Sequence, residues 1–182
     1  VGNLREFAGK KRRSLLFEGV RSEKVNEFFG EIMLGLTAKV FRTYHASEAV
    51  AGYLDTAKVR KEDDVLLKKQ VATMANLQAA IICNHKRKLP KSWHESMNKK
   101  LQRLKDLRAK KRAKQAKALS TRIQIQKATR DYNLGTSLRS YVDPRIYFEW
   151  GQRMDYDWKK YYPKTLQRKF AWVESNKEQR IS

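Results

Sequence analysis

Between residues 22 and 34 (SEKVNEFFGEIML), apolar side chains recur at Val25, Phe28, Phe29, Ile32 and Met33, the spacing of one helical face, and Ser22 stands where an N-cap belongs. A second helical stretch, from about Leu36 to Leu54, turns Val40, Phe41, Val50 and Leu54 inward, while Lys39, Arg42 and His45, three apart, share another face. A third, from about Glu62 to Asn84, opens with acidic residues and offers Val65, Leu66, Val71, Met74, Leu77, Ile81 and Ile82 for packing. Residues 3–18 read instead as two short strands around a Gly9-Lys10 turn, with Lys10 at the tip.

The pattern changes at Ser92, which can cap a helix whose body is largely Lys, Arg, Ala and Leu. Met97, Leu101 and Leu104 form only a narrow apolar stripe, and after Leu107 the apolar positions are mostly alanines. Such a helix cannot be buried all round, so a protruding, solvent-bathed hairpin is expected, with its return between Arg108 and Lys117 and its second arm reaching about Asp131. A single basic helix or a disordered tail is the alternative. Globular composition returns in the last fifty residues, where Tyr147, Phe148, Trp150, Trp158, Tyr161, Tyr162, Phe170 and Trp172 supply an aromatic core, and Thr165 caps a final helix after Pro163. Aromatics this dense read as packing rather than as base-stacking platforms. The expected fold is mainly α, with a small N-terminal β-hairpin and a basic helical linker. It divides into residues 1–91, 92–131 and 132–182.

Composition adds a partner. The chain has 182 residues and a formal charge of +22. Like charges repel in a compact domain, and the usual reason to tolerate such an imbalance is a polyanion, with nucleic acid ahead of an anionic membrane. No uninterrupted apolar run is long enough to span a bilayer. Cys83 is the single cysteine, which excludes an internal disulfide and a Cys-rich zinc site and fits a reducing, intracellular compartment. The chain opens on Val1 without a signal pattern and reads as a fragment of something longer.

The candidate chemistry centres on Tyr141 in LGTSLRSYVDPR, a tyrosine among small hydroxyl residues and arginines. A free tyrosine phenol titrates near pH ~10 and is a poor nucleophile at neutrality; guanidinium charge favours the phenolate and also binds non-bridging phosphate oxygens. Arg42 is the candidate for both roles, His85 for a second phosphate contact and Lys10 for protonating a departing sugar oxygen, a set suited to attack on a phosphodiester. On spacing alone His45 and His94 compete with His85, and many arginines compete with Arg42. No phosphate-binding glycine loop or acidic metal cluster is evident, so neither ATP nor Mg²⁺ is implied, and no cofactor is expected.

Together these segments resemble the eukaryotic-type (type IB) DNA topoisomerases. LTAKVFRTYHAS is similar to the family's arginine motif, with His45 where asparagine is usual; NLQAAIICNHKRKLPKS is similar to the stretch carrying its histidine. LGTSLRSYVDPRIYFEW resembles the active-site tyrosine motif, YYPKTLQRKFAWV a segment near the family's C-terminus, and FAGK the hairpin with the catalytic lysine. The resemblance implies that Tyr141 is the nucleophile forming a 3′-phosphotyrosyl link, that Arg42 and His85 hold the scissile phosphate, and that Lys10 is the general acid. It places Lys39, Thr136 and Ser140 at positions where the family contacts DNA, and likens the arms after Ser92 to a shortened linker coiled coil. It further implies a monomer acting on double-stranded DNA without membrane association, in the nucleus of a eukaryote or the nucleoid of an archaeon.

Three departures qualify the resemblance. The family's first catalytic arginine precedes the hairpin lysine, so an upstream portion of the same protein is needed to complete the site and the clamp, and residues 1–182 alone are expected to be impaired. Ser140 stands where asparagine is common before the tyrosine, and Lys11 where aspartate usually follows the lysine; both positions line the family's camptothecin site. Tyrosine recombinases share the fold and the covalent chemistry, but usually carry a histidine where this chain has Lys39, and their tyrosine closely follows the preceding His or Trp, whereas here Tyr141 lies 56 positions after His85 (141 − 85). A non-catalytic basic DNA-binding module is the remaining alternative; it explains the charge but not the tyrosine motif.

Overall fold

The structure, a computed structural model, describes residues 19–175. Eight α-helices are seen there: α1 (Ser22–Ile32), α2 (Ala38–Thr56), α3 (Val65–Ile82), α4 (Trp93–Ala109), α5 (Ala113–Ala128), α6 (Leu134–Ser140), α7 (Pro144–Arg153) and α8 (Lys164–Lys169), with 3-10 turns at Trp158–Lys160 and Ala171–Glu174. No strand occurs among the described residues, apart from an isolated antiparallel bridge between Lys86 and Tyr132. The fold is mainly α, as expected; the N-terminal hairpin falls outside the described residues. No described helix is long and apolar enough to cross a membrane.

The chain forms two compact units divided between Phe41 and Arg42, within α2. In the first, α1 buries none of its residues. Ser22 does not cap it: Arg21 holds the N-cap position and the Ser22 hydroxyl turns to Glu23 instead. Phe29 stacks on Phe41 at 5.1 Å, yet Val40 and Phe41 stay exposed, contrary to the inward orientation their spacing predicts.

The second unit has its core where α2 brings down Ala46, Val50 and Leu54, one residue per turn. On α3 the buried positions are Lys68, Ala72, Ala75, Asn76, Leu77, Ala79 and Ala80, while Val65, Ile81 and Ile82 are exposed. The expected packing set is therefore partly the wrong face. The helix is apolar nearly all round, so periodicity does not select a side; the alanine face wins because small side chains let α6 approach closely. Asn76 is buried there and donates from Nδ2 to the Leu134 carbonyl (3.0 Å), pinning the start of α6 to α3. The helix starts at Val65, later than expected, because the Asp64 side chain accepts from the Leu66 amide.

α4 and α5 form an antiparallel pair with their own core of Met97, Leu104, Ala116 and Ile123, and α5 also packs on α3. Ser92 sits at the N-cap position of α4 but makes no side-chain cap bond. The aromatic core holds Tyr147, Trp150, Trp158, Tyr162 and Phe170, with the Tyr147 hydroxyl donating to the Ala72 carbonyl (2.9 Å). Burying each of these rings contributes about 2–3 kcal/mol. Trp172 departs from expectation: it lies exposed on the final 3-10 turn, whose buried residue is Val173. Thr165 does not cap α8, since that helix already starts at Lys164, immediately after Pro163.

Candidate active site

Three chain segments converge around Tyr141, each by a local rule. The first is the end of α3. The Asn84 amide donates to the Ile81 carbonyl and the His85 amide to the Ala80 carbonyl (2.9 Å each), with Asn84 at φ 53°. This is a Schellman closure whose left-handed residue is asparagine, one of the few non-glycine types that accept it. It reverses the chain just before His85. The Asn133 amide then donates to the His85 carbonyl (2.7 Å) and the Arg87 amide to the Asp131 carbonyl (3.0 Å), lacing this segment to the residues leading into α6.

The second segment is α6 and its exit. Asn133 caps the helix, its side chain accepting from the Thr136 amide. Tyr141 closes it, and two residues later Asp143 opens α7 by accepting from the Arg145 amide, with Pro144 at the first helical position. The tyrosine thus stands in a short junction between two helices, held down by buried Val142 and by the Asp143–Arg145 ion pair (2.6 Å). The third segment is α2, which supplies Arg42 and Ser47. The Ser47 hydroxyl donates to the Tyr141 carbonyl (3.3 Å) and accepts from the Asp143 amide (3.0 Å), gripping the junction from both sides.

The side chains meet at the phenol ring. The Arg42 guanidinium carbon lies 4.9 Å from the Tyr141 ring centroid, within cation–π range, and Arg42 Nη2 donates to the Cys83 carbonyl at 2.7 Å. That bond uses one of the five guanidinium donors and leaves the others for an anion. The His85 ring centroid is 4.9 Å from that of Tyr141, and His85 Nδ1 lies 2.8 Å from Ser137 Oγ. Burial first, then the Arg42 charge, lowers the His85 pKa, so the neutral imidazole is favoured. Burial also pushes the Cys83 thiol up, against the pull of Arg42.

The structure thereby separates the competing histidines. His85 faces Tyr141, whereas His45 is exposed against Glu48 and His94 lies beside Trp93 on α4. Thr136 and Ser140 are half-buried on α6, and Lys39 is exposed at the start of α2. Lys10 lies outside the described residues. Sequence reasoning missed Ser47 and Ser137. Both sit inside motifs it quoted, but a serine within a motif carries no signal of its own until its partner is known.

Residues 1–118 match the family model described as eukaryotic DNA topoisomerase I, catalytic core, and residues 110–180 the one described as C-terminal topoisomerase domain. The chain belongs to the eukaryotic DNA topoisomerase I family. Among this topoisomerase family's members, it is 35% identical over 185 residues to DNA topoisomerase 1 of Drosophila melanogaster, covering 90% of this chain and 19% of the relative. It is 34% identical to DNA topoisomerase 1 beta of Arabidopsis thaliana (91% of this chain, 22% of the relative). It is 32% identical to the mitochondrial DNA topoisomerase I of Rattus norvegicus (94% of this chain, 35% of the relative). The chain therefore spans between about a fifth and a third of the length of these curated topoisomerase relatives.

Proposed function

We propose that this chain carries the C-terminal catalytic part of a type IB DNA topoisomerase, a monomer that relaxes supercoiled duplex DNA by transient cleavage of one strand. Tyr141 Oη attacks a backbone phosphorus and the 5′ oxygen departs, leaving a 3′-phosphotyrosyl bond and a 5′-hydroxyl. Arg42 and the neutral imidazole of His85 donate to the non-bridging oxygens as negative charge builds on them. Lys10 protonates the leaving oxygen, and Lys39, Thr136 and Ser140 contact the duplex. The phosphotyrosyl bond conserves the energy of the broken diester and stored torsion drives rotation, so neither ATP nor a metal ion is needed. The same reading divides the chain into residues 1–91 of the core, the 92–131 linker and the 132–182 tyrosine domain, and requires an upstream portion of the protein to complete the clamp.

One observation carries this reading: Arg42 and His85, 43 positions apart and far from Tyr141 in sequence, both lie against the Tyr141 ring. The test is trapping on a suicide duplex with the full-length protein. A covalent adduct at the 3′ end is expected, lost in Tyr141→Phe, together with relaxation of a supercoiled plasmid without cofactors. An adduct that persists in Tyr141→Phe refutes the assignment. Strand exchange between two duplexes without relaxation points to a recombinase instead.

A further inference from the structure

Ser137 is fully buried on α6, and its hydroxyl meets one partner among the described residues, His85 Nδ1 at 2.8 Å. Serines inside helices commonly turn their hydroxyl back to the carbonyl four residues earlier, here Asn133. Ser137 does not; its side chain reaches across to the segment leaving α3. Its own carbonyl accepts from both the Tyr141 and Val142 amides (2.9 and 3.1 Å), so one residue touches the imidazole with its side chain and the tyrosine junction with its backbone.

We propose that Ser137 is a positioning residue that fixes the tautomer of His85, donating its hydroxyl proton to Nδ1 so that the ring proton sits on Nε2. This rests on the function proposed above, in which His85 acts as a neutral donor to phosphate. The argument is one of satisfaction. A neutral imidazole has one donor and one acceptor nitrogen. If Nδ1 carried the proton, the Ser137 oxygen would accept it and the hydroxyl's own hydrogen would point into a buried site with no second partner among the described residues. With the hydroxyl donating, both groups are matched, and Nε2, which has no protein partner among the described residues, presents N–H. Protonating both nitrogens is opposed by Arg42, the charged group facing the ring from α2; Cys83 at the end of α3 and Tyr141 beyond α6 are the titratable groups beside it. In the other tautomer Nε2 offers a lone pair to a phosphate oxygen and repels it.

Two measurements test this. In the full chain labelled with ¹⁵N-histidine at neutral pH, the His85 ring nitrogens are expected to show the Nε2–H tautomer; an Nδ1–H pattern overturns the proposal, whether or not the chain cleaves DNA. In the full-length protein, Ser137→Ala is expected to slow adduct formation on a suicide duplex by roughly 10- to 100-fold, the range for losing the partner that orients a working imidazole. Duplex affinity should change little, and the Ser137→Ala spectrum should show the two tautomers mixed. An unchanged rate and an unchanged tautomer in Ser137→Ala overturn the proposal. If the unsubstituted protein forms no adduct, the topoisomerase reading fails while the tautomer spectrum still decides this one; if Ser137→Ala does not fold, the spectrum of the unsubstituted chain decides alone.

Discussion

Ser47 shows how much one small side chain contributes to holding the proposed nucleophile, Tyr141. Its hydroxyl is the only side-chain link described between α2, which carries Arg42, and the backbone on both sides of Val142. Ser47→Ala leaves the Asp143 amide and Tyr141 carbonyl without that partner, at a cost of about 1–2 kcal/mol in stability. The larger effect is expected in the rate of adduct formation, because the junction is then free to shift the ring against Arg42. Denaturant midpoints and single-turnover trapping on the same variant separate the two. His85 predicts a pH dependence of definite sign. Its folded pKa lies below the ordinary value of 6.5, with burial the larger cause and Arg42 the second, so protonation opposes folding. The stability contributed by the neutral ring is complete above pH 6.5 and is lost as pH falls through the lower folded value. His85→Gln is expected to flatten this decline when denaturant midpoints are compared between about pH 5 and 8.

Among the elements, three helix ends close the same way without glycine. α3 turns at Asn84, α4 at Lys111 and α7 at Asp155, each with positive φ (53°, 54° and 49°) and each with the pair of backbone bonds that defines the Schellman motif. The third also explains Gly151, whose missing Cβ would stand 2.3 Å from the Tyr156 carbonyl oxygen as the chain folds back. Lysine gains nothing from the left-handed region, which costs an L-residue roughly 1–2 kcal/mol, part of which glycine's greater unfolded-state freedom would offset. Lys111→Gly is therefore expected to stabilise the α4–α5 turn by about 0.5–1 kcal/mol, read as slower hydrogen exchange of the amides at the start of α5. Faster exchange there would mean that Lys111 has a role beyond the turn.

Across the molecule, charge is concentrated in the hairpin: residues 93–128 hold 12 Lys and Arg against 2 acidic residues, a net +10 of the chain's +22. Only a narrow stripe of that hairpin is buried, so most of the charge faces solvent. Duplex binding by the full-length protein is expected to weaken linearly in log–log plots against salt, with a slope of about −0.9 per phosphate neutralised. Replacing Lys110, Lys114 and Lys117 by glutamine should make that slope shallower by up to about one for each phosphate that then goes unneutralised, with little change in cleavage chemistry at saturating DNA. A slope that does not move places the duplex away from the hairpin tip.

What the residues alone determined was the mainly α class of fold and the family, and they are also the ground for the proposed polyanionic partner and tyrosine-centred chemistry, since composition, helical period and motif identity are local properties. The hairpin's return lies within the span expected for it, but its position was hidden because Lys111 occupies a conformation that glycine ordinarily advertises. Which face of α3 is buried was equally hidden, because an all-round apolar helix is oriented by its neighbours and not by its own pattern. Spacing left His85 level with His45 and His94 and the family resemblance favoured it; the tertiary structure sets His85, rather than the other two, against Tyr141 and brings Ser47 and Ser137 beside them. Those choices depend on distances between segments 40 to 100 positions apart, and no local periodicity encodes such distances.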